Sequence, residues 1–180
     1  MRAPVCAAAC VAGALSLEDA TTIICQRSLL VTRTMSQGGM AVVGLSLEAT
    51  SDALRPFGDR LSVAVSSSPE LTVVAGEKGA LAELVAALAA REVFVRPIRV
   101  DYASHSSQMD PLLPELMAQL QNITPRRPRI DFYSTVTASR IAEEPLDAAY
   151  WVRNLRDPVM FAPMVSGLID QGVHVFMELD

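Results

Sequence analysis

Cysteine, histidine and charge are all scarce in this chain, and each shortage removes a class of function. The three cysteines, Cys6, Cys10 and Cys25, are too few and too unevenly spaced for a disulfide framework. Cys6 and Cys10 would share a helix face, but no histidine or further cysteine lies near them to complete a metal site. They read as small buried thiols in a reducing compartment, so a cytoplasmic protein without a metal is expected. No run of lysine and arginine stands against the net charge of -5, which argues against nucleic acid as a partner. Charges interrupt the longest helical stretches, so no membrane span is expected. The Ala-rich run from Ala7 to Leu15 could mimic a targeting signal. It passes straight into the helix start Ser16-Leu17-Glu18-Asp19, however, and reads as a buried helix. The Gly-x-Ser-x-Gly elbow of the α/β serine hydrolases is missing as well.

What is plentiful is apolar surface: 51% of the 180 residues are hydrophobic, enough for one core or a core plus a small subdomain. Ser16 is a suitable N-cap with Glu18 and Asp19 in the first turn, and the helix it opens should run to about Met35 and stop near Gly38-Gly39. From Met40 to Val100 the pattern alternates. Strands are expected at Met40–Leu45, Leu61–Val65, Leu71–Ala75 and Val93–Val100, with helices at Leu47–Arg55 and Ala80–Arg91. Ser66-Ser67-Ser68-Pro69 reads as a turn. The order β-α-β-β-α-β is that of a ferredoxin-like subdomain. Further on, Asp110 and Pro111 should open a helix, and Ile130–Val136 should be a strand that rejoins a main sheet. Thr137–Pro145 reads as a loop, Asp147–Leu155 and Phe161–Gln171 as helices, and Val173–Leu179 as a last strand with His174 exposed on it.

Two places carry chemistry. The stretch Asp101-Tyr-Ala-Ser-His-Ser-Ser-Gln-Met-Asp110 follows an expected strand and precedes an expected helix, where α/β sheets place their ligands. His105, one of only two histidines, lies at its centre. It is either a satisfied loop or core imidazole or a group that moves a proton. The other place is Arg27, whose helical neighbours are Ile23, Ile24, Leu30 and Val31. A guanidinium on an apolar face needs an anion: an internal carboxylate, or the carboxylate or phosphate of a ligand. Arg33, near Leu29, Leu30, Ser36 and Gln37, is less distinctive.

The segment Tyr102-Ala-Ser-His105, followed by Ser106, resembles the catalytic-histidine motif of acyltransferase domains from type I modular polyketide synthases. Similar matches occur at Ala12–Ala20, Gly39–Val43, Phe132–Thr137 and Tyr150–Phe161, in family order and spacing. The resemblance implies an α/β fold, with an α/β-hydrolase-like large domain formed by residues 1–37 and 101–180. A ferredoxin-like subdomain of residues 38–100 would be inserted in it. It further implies ping-pong transfer of a malonyl-type extender from coenzyme A to an acyl carrier protein, with no cofactor. Within it His105 matches the general base, and Asn154 the position whose carbonyl oxygen orients the imidazole. Arg27 matches the arginine that pairs with the extender's free carboxylate, which suits a planar fork on an apolar face. Tyr102 and Ser104 match the substrate-selecting positions. Tyr-Ala-Ser-His resembles the methylmalonyl-selecting version of that motif, in which a serine in place of phenylalanine leaves room for a branch methyl.

The chain departs from the family at both ends. Counted back without gaps, the family's nucleophile serine falls on Arg2, and the glycines and glutamate around it do not appear. No other serine can be assigned its role. The expectation is therefore a truncated acyltransferase domain that keeps the base, the clamp and the selecting loop but is inactive alone. Its partners would be acyl-CoA and acyl carrier protein or other synthase domains. Two rivals stand beside it: a non-catalytic module that binds acyl-CoA or a carrier protein, and a fragment complementing a separate serine-bearing chain.

Overall fold

A computed structural model describes residues 4–178. The chain starts with α1 (Pro4–Val11), which turns at Gly13 into α2 (Leu17–Val31). Gly13 has φ +77, a left-handed value natural to glycine. Ser16 caps α2, its hydroxyl oxygen accepting from the Asp19 amide at 3.0 Å. The helix gives way to a 3₁₀ turn at Thr32–Thr34, short of the expected run to about Met35 and stop near Gly38-Gly39. The hydroxyls of Thr32 and Thr34 donate to the carbonyls of Leu29 and Val31, which favours the tighter turn.

Next come β1 (Gly38–Val43), α3 (Leu47–Leu54), β2 (Leu61–Ser68), β3 (Leu71–Glu77), α4 (Lys78–Ala89) and β4 (Val95–Ile98). The four strands lie in the order β4-β1-β3-β2 with every pairing antiparallel. A short strand near the end of the chain, β7 (Val159–Met160), adds in parallel to the β2 edge. One sheet face packs through Ala41, Val43, Leu61 and Val74 onto Leu54 of α3 and Leu81, Leu84 and Leu88 of α4. The other face buries Ala64, Val73 and Ala75 against Ala103, so the sheet itself fixes the start of the histidine loop.

Ser66–Ser68 belongs to β2, not to a turn; the turn is the pair Pro69-Glu70. Serine alone favours turns, but here β3 pairs one edge and Met160 of β7 the other edge of Ser66. Register shifts between Val63 and Val65 and between Ser66 and Ser68 absorb the mismatch as bulges.

The remainder of the chain forms a second layer. Its elements are a 3₁₀ segment Ser107–Leu112, α5 (Leu113–Gln119), β5 (Phe132–Ser134), β6 (Ser139–Ile141), α6 (Ala148–Arg156) and α7 (Phe161–Asp170). Their core, shared with α1 and α2, buries Ile23, Leu30, Leu116, Leu120, Tyr150, Trp151 and Leu155. Tyr150 and Trp151 meet edge to face at 5.1 Å. The Trp151 indole donates to the Leu146 carbonyl at 2.7 Å, and the Tyr150 and Ser134 hydroxyls lie 2.8 Å apart.

Three expectations fail in this layer. Ser106, not Asp110, caps the turn after His105, its hydroxyl accepting from the Gln108 amide, while Asp110 is held by Arg156. Pro111 lies inside a 3₁₀ turn that precedes α5, and Pro114 stands in the first turn of α5, where the amide it lacks would have no intrahelical partner. Among the described residues, Phe132–Ser134 pairs only with Ser139–Ile141, inside the expected loop, and joins no larger sheet. Residues 173–178 carry the alternation of a strand but have no strand partner among the described residues, and an unpaired strand has nothing to hold it. His174 is exposed there, as expected of its position. Among the described residues, no helix is long and apolar enough to cross a membrane.

Candidate active site

The site is assembled on the C-terminal turn of α6. Asp157, which ends that helix, precedes Pro158, and proline forces the residue before it into an extended conformation. Asp157 accordingly has φ -75 and ψ 154, which swings its carbonyl out of the helix direction. Helix ends leave carbonyls without intrahelical donors, and the histidine loop supplies them. The His105 amide donates to Leu155 O at 3.2 Å, and His105 Nδ1 lies 2.7 Å from Asp157 O. Because a carbonyl only accepts, Nδ1 carries the hydrogen and donates, leaving Nε2 with a free lone pair. His105 reaches this position with φ +62, a left-handed backbone uncommon for a residue with a side chain.

Burial holds the imidazole at about 4, with the nearby Arg27 charge pushing the same way and the Asp157 carbonyl bond opposing. The ring is therefore neutral near pH 7 and ready to accept a proton at Nε2. The loop around it is braced: the Ser106 hydroxyl donates to Ala103 O at 2.7 Å and the Ser107 hydroxyl to Asp59 O at 2.6 Å. Ser104 is buried beside the histidine, and Tyr102 packs partly buried on the core of the second layer.

Arg27 projects from α2 toward α6. Its Nη1 donates to Asn154 Oδ1 at 2.6 Å, and its Nε is buried with no partner among the described residues. Among the described residues no carboxylate pairs with it. Desolvation lowers its affinity for its proton, and the Cys6 thiol and Tyr102 lie close enough to act on it. Cys6 itself is pushed up to about 11 by burial, so it is an inert thiol. Arg33, in contrast, points outward and grips Glu115 through both terminal nitrogens, at 2.5 and 3.0 Å.

The structure thus brings Arg27, Asn154 and His105 together around one helix end, with Tyr102 and Ser104 on the adjoining loop. It corrects one assignment. The carbonyl that orients the imidazole belongs to Asp157, while Asn154 uses its side-chain amide on Arg27. The Asp157-Pro158 pair was the available signal, since a proline-enforced helix stop turns the preceding carbonyl outward. Arg2, on which the expected nucleophile position falls when counted along the sequence, lies outside the described residues.

A family profile described as acyl transferase domain matches residues 6–180. The chain belongs to the acyl transferase domain family. Among its relatives is the mycoketide-CoA synthase of Mycobacterium tuberculosis, 44% identical over 172 residues, which cover 96% of this chain and 4% of the synthase. An erythronolide synthase of Saccharopolyspora erythraea is 46% identical over 173 residues, 96% of this chain and 5% of that protein. Among solved structures, the acyltransferase domain from module 8 of the salinomycin polyketide synthase superposes with a TM-score of 0.90 at 40% identity. That match covers 92% of this chain and 39% of the solved one. The chain therefore corresponds to part of a polyketide synthase acyltransferase domain and spans a small fraction of the curated synthases. Its mixed α/β fold, with a mostly antiparallel sheet, is that of this acyl transferase family.

Proposed function

We propose that this chain is the base-and-clamp portion of a polyketide synthase acyltransferase, which handles a malonyl-type acyl group in transit from coenzyme A to an acyl carrier protein. In the family reaction a serine attacks the thioester carbonyl and loses its proton to a histidine, which then protonates the departing thiol. His105 suits that role through its neutral ring and free Nε2. The observation that carries the reading is Arg27, a guanidinium in an apolar wall that, among the described residues, meets an amide and no carboxylate. Such a group is poised for a ligand anion. Ser104 and Tyr102 would line the acyl branch, favouring methylmalonyl over malonyl. The arrangement of core clusters supports a division into a ferredoxin-like subdomain, residues 38–100, and an α/β-hydrolase-like remainder, residues 1–37 and 101–180. With Arg2 at the serine's position, we propose that the chain binds acyl-CoA without forming an acyl-enzyme.

Calorimetric titration with methylmalonyl-CoA and propionyl-CoA, which differ by one carboxylate, tests this. Methylmalonyl-CoA should bind the tighter by about ten-fold or more, as expected for a charge-assisted hydrogen-bonded pair. Arg27→Met should erase that difference while changing stability by less than about 1 kcal/mol, since the guanidinium has no internal counter-charge to lose. Equal binding of both thioesters by the unaltered chain overturns the clamp. Label from methylmalonyl-CoA that survives denaturing electrophoresis overturns the absence of acyl transfer.

A second reading is favoured by exposed apolar surface. Val175 and Met177 are 81% and 80% exposed, and Val11 and Ile130 border an apolar cleft of about 520 Å³ between α1 and β5. A face of that kind suits a fragment completed by a separate serine-bearing chain. Co-expression with the remaining portion of an acyltransferase domain, followed by size-exclusion chromatography, should give one complex; two separate peaks would exclude it.

A further inference from the structure

The site has an asymmetry that the clamp alone does not explain. Arg27 offers five N–H donors, and the hydrogen bond it makes within the described residues is to a neutral acceptor, Asn154 Oδ1. Asn154 is 6% exposed, and its helix cannot easily drift. Asp147 caps α6 at its start by accepting from the Tyr150 amide, and the Trp151 indole pins it to Leu146. Arg153 and Arg156 fasten its end to Glu144 and Asp110. A residue placed only to satisfy the guanidinium would serve better as a carboxylate, which would accept two donors at once and cancel the charge. An amide oxygen can accept hydrogen bonds too, but it carries no charge and cancels nothing.

We propose that Asn154 is a specificity-determining residue: its amide aims Arg27 while leaving the positive charge uncompensated, so that the site selects acyl groups bearing a free carboxylate. This rests on the clamp reading given above and extends it to the residue that keeps the clamp open. The same helix end carries the Asp157 carbonyl that orients His105, so one turn of α6 sets both the charge of the acyl pocket and the aim of the base.

Asn154→Asp is nearly isosteric and supplies the missing counter-charge. In the full chain it should reduce the preference for methylmalonyl-CoA over propionyl-CoA by at least about ten-fold, by calorimetry. Its thermal midpoint should equal or exceed that of the unaltered chain, because an ion pair is completed rather than broken. The His105 ring signal, followed by NMR and assigned with His174→Gln, should titrate at higher pH, since the new carboxylate and the now compensated Arg27 both favour imidazolium beside Asp157. A merely structural asparagine predicts the opposite pattern, with a lower midpoint and both thioesters weakened alike; that result overturns the proposal, as does a preference retained within two-fold. If the unaltered chain shows no preference at all, the clamp reading falls by itself. The midpoint and the His105 titration then decide whether Asn154 controls the charge: upward movement of both supports it, and no change in either refutes it.

Discussion

The neutral, largely desolvated imidazole of His105 makes a specific demand on acid stability. Folding holds the ring at about 4, below the 6.5 of an unfolded chain. As the pH falls below 6.5 the unfolded chain takes up a proton that the folded chain refuses, so unfolding becomes progressively more favourable. The His105 contribution is intact above pH 6.5, is lost between 6.5 and about 4, and changes no further below that. At about 1.4 kcal/mol per pH unit the full loss is about 3 kcal/mol. The variant to use is His105→Asn, because asparagine tolerates the left-handed backbone at φ +62 better than most residues. At pH 7 it should be less stable by about 1 kcal/mol, having lost the bond to Asp157 O and some packing. At pH 4 the order should reverse, with the asparagine variant more stable by about 2 kcal/mol. Urea unfolding followed by circular dichroism at intervals from pH 7 to 4 measures both curves. Other titrating groups, including Glu115 held low by Arg33, act equally on the two proteins and cancel in the difference. Parallel curves across that range would show that the ring is not buried neutral, and the proton-acceptor role built on it would fail.

Two packing predictions test how the site is held. A Cβ on Gly38 would collide with Gln108 Oε1 and lie 2.7 Å from Ala103 Cβ and 2.9 Å from the Ala103 amide nitrogen. Gly38→Ala should therefore push the histidine loop off β1 at a cost of about 1–3 kcal/mol, and an unchanged urea midpoint would contradict this contact. Trp151→Phe removes the donor to Leu146 O and opens a void at the anchor of α6. A loss of about 2–3 kcal/mol in the same assay is expected, and a loss below about 0.5 kcal/mol would mean that α6 is held elsewhere.

Local signals were readable where a residue's neighbours in sequence are also its neighbours in space. Ser16 announces α2, because a cap bonds an amide three residues on. Arg27 stood out because helical spacing alone surrounds it with Ile23, Ile24, Leu30 and Val31. His105 was conspicuous by composition and by its place between a strand and a helix. Other features escaped because their cause is distant. Ser66–Ser68 is a strand because β3 and β7 flank it, and Phe132–Ser134 is held by its pairing with Ser139–Ile141. The partners of the site residues escaped for the same reason. Nothing near Arg27 in sequence points to Asn154, 127 residues away, and nothing near His105 to Asp157, 52 residues away.

The sequence by itself determined which chemistries were present: one histidine in a polar loop, one arginine on an apolar helix face, and a periodicity that sorts strands from helices. The tertiary structure alone decided what each does. It met the guanidinium with a neutral amide instead of a carboxylate, and it gave the imidazole the carbonyl of a proline-terminated helix. Charge state and hydrogen-bond partner depend on burial and on groups brought together across the chain, and no local pattern encodes those.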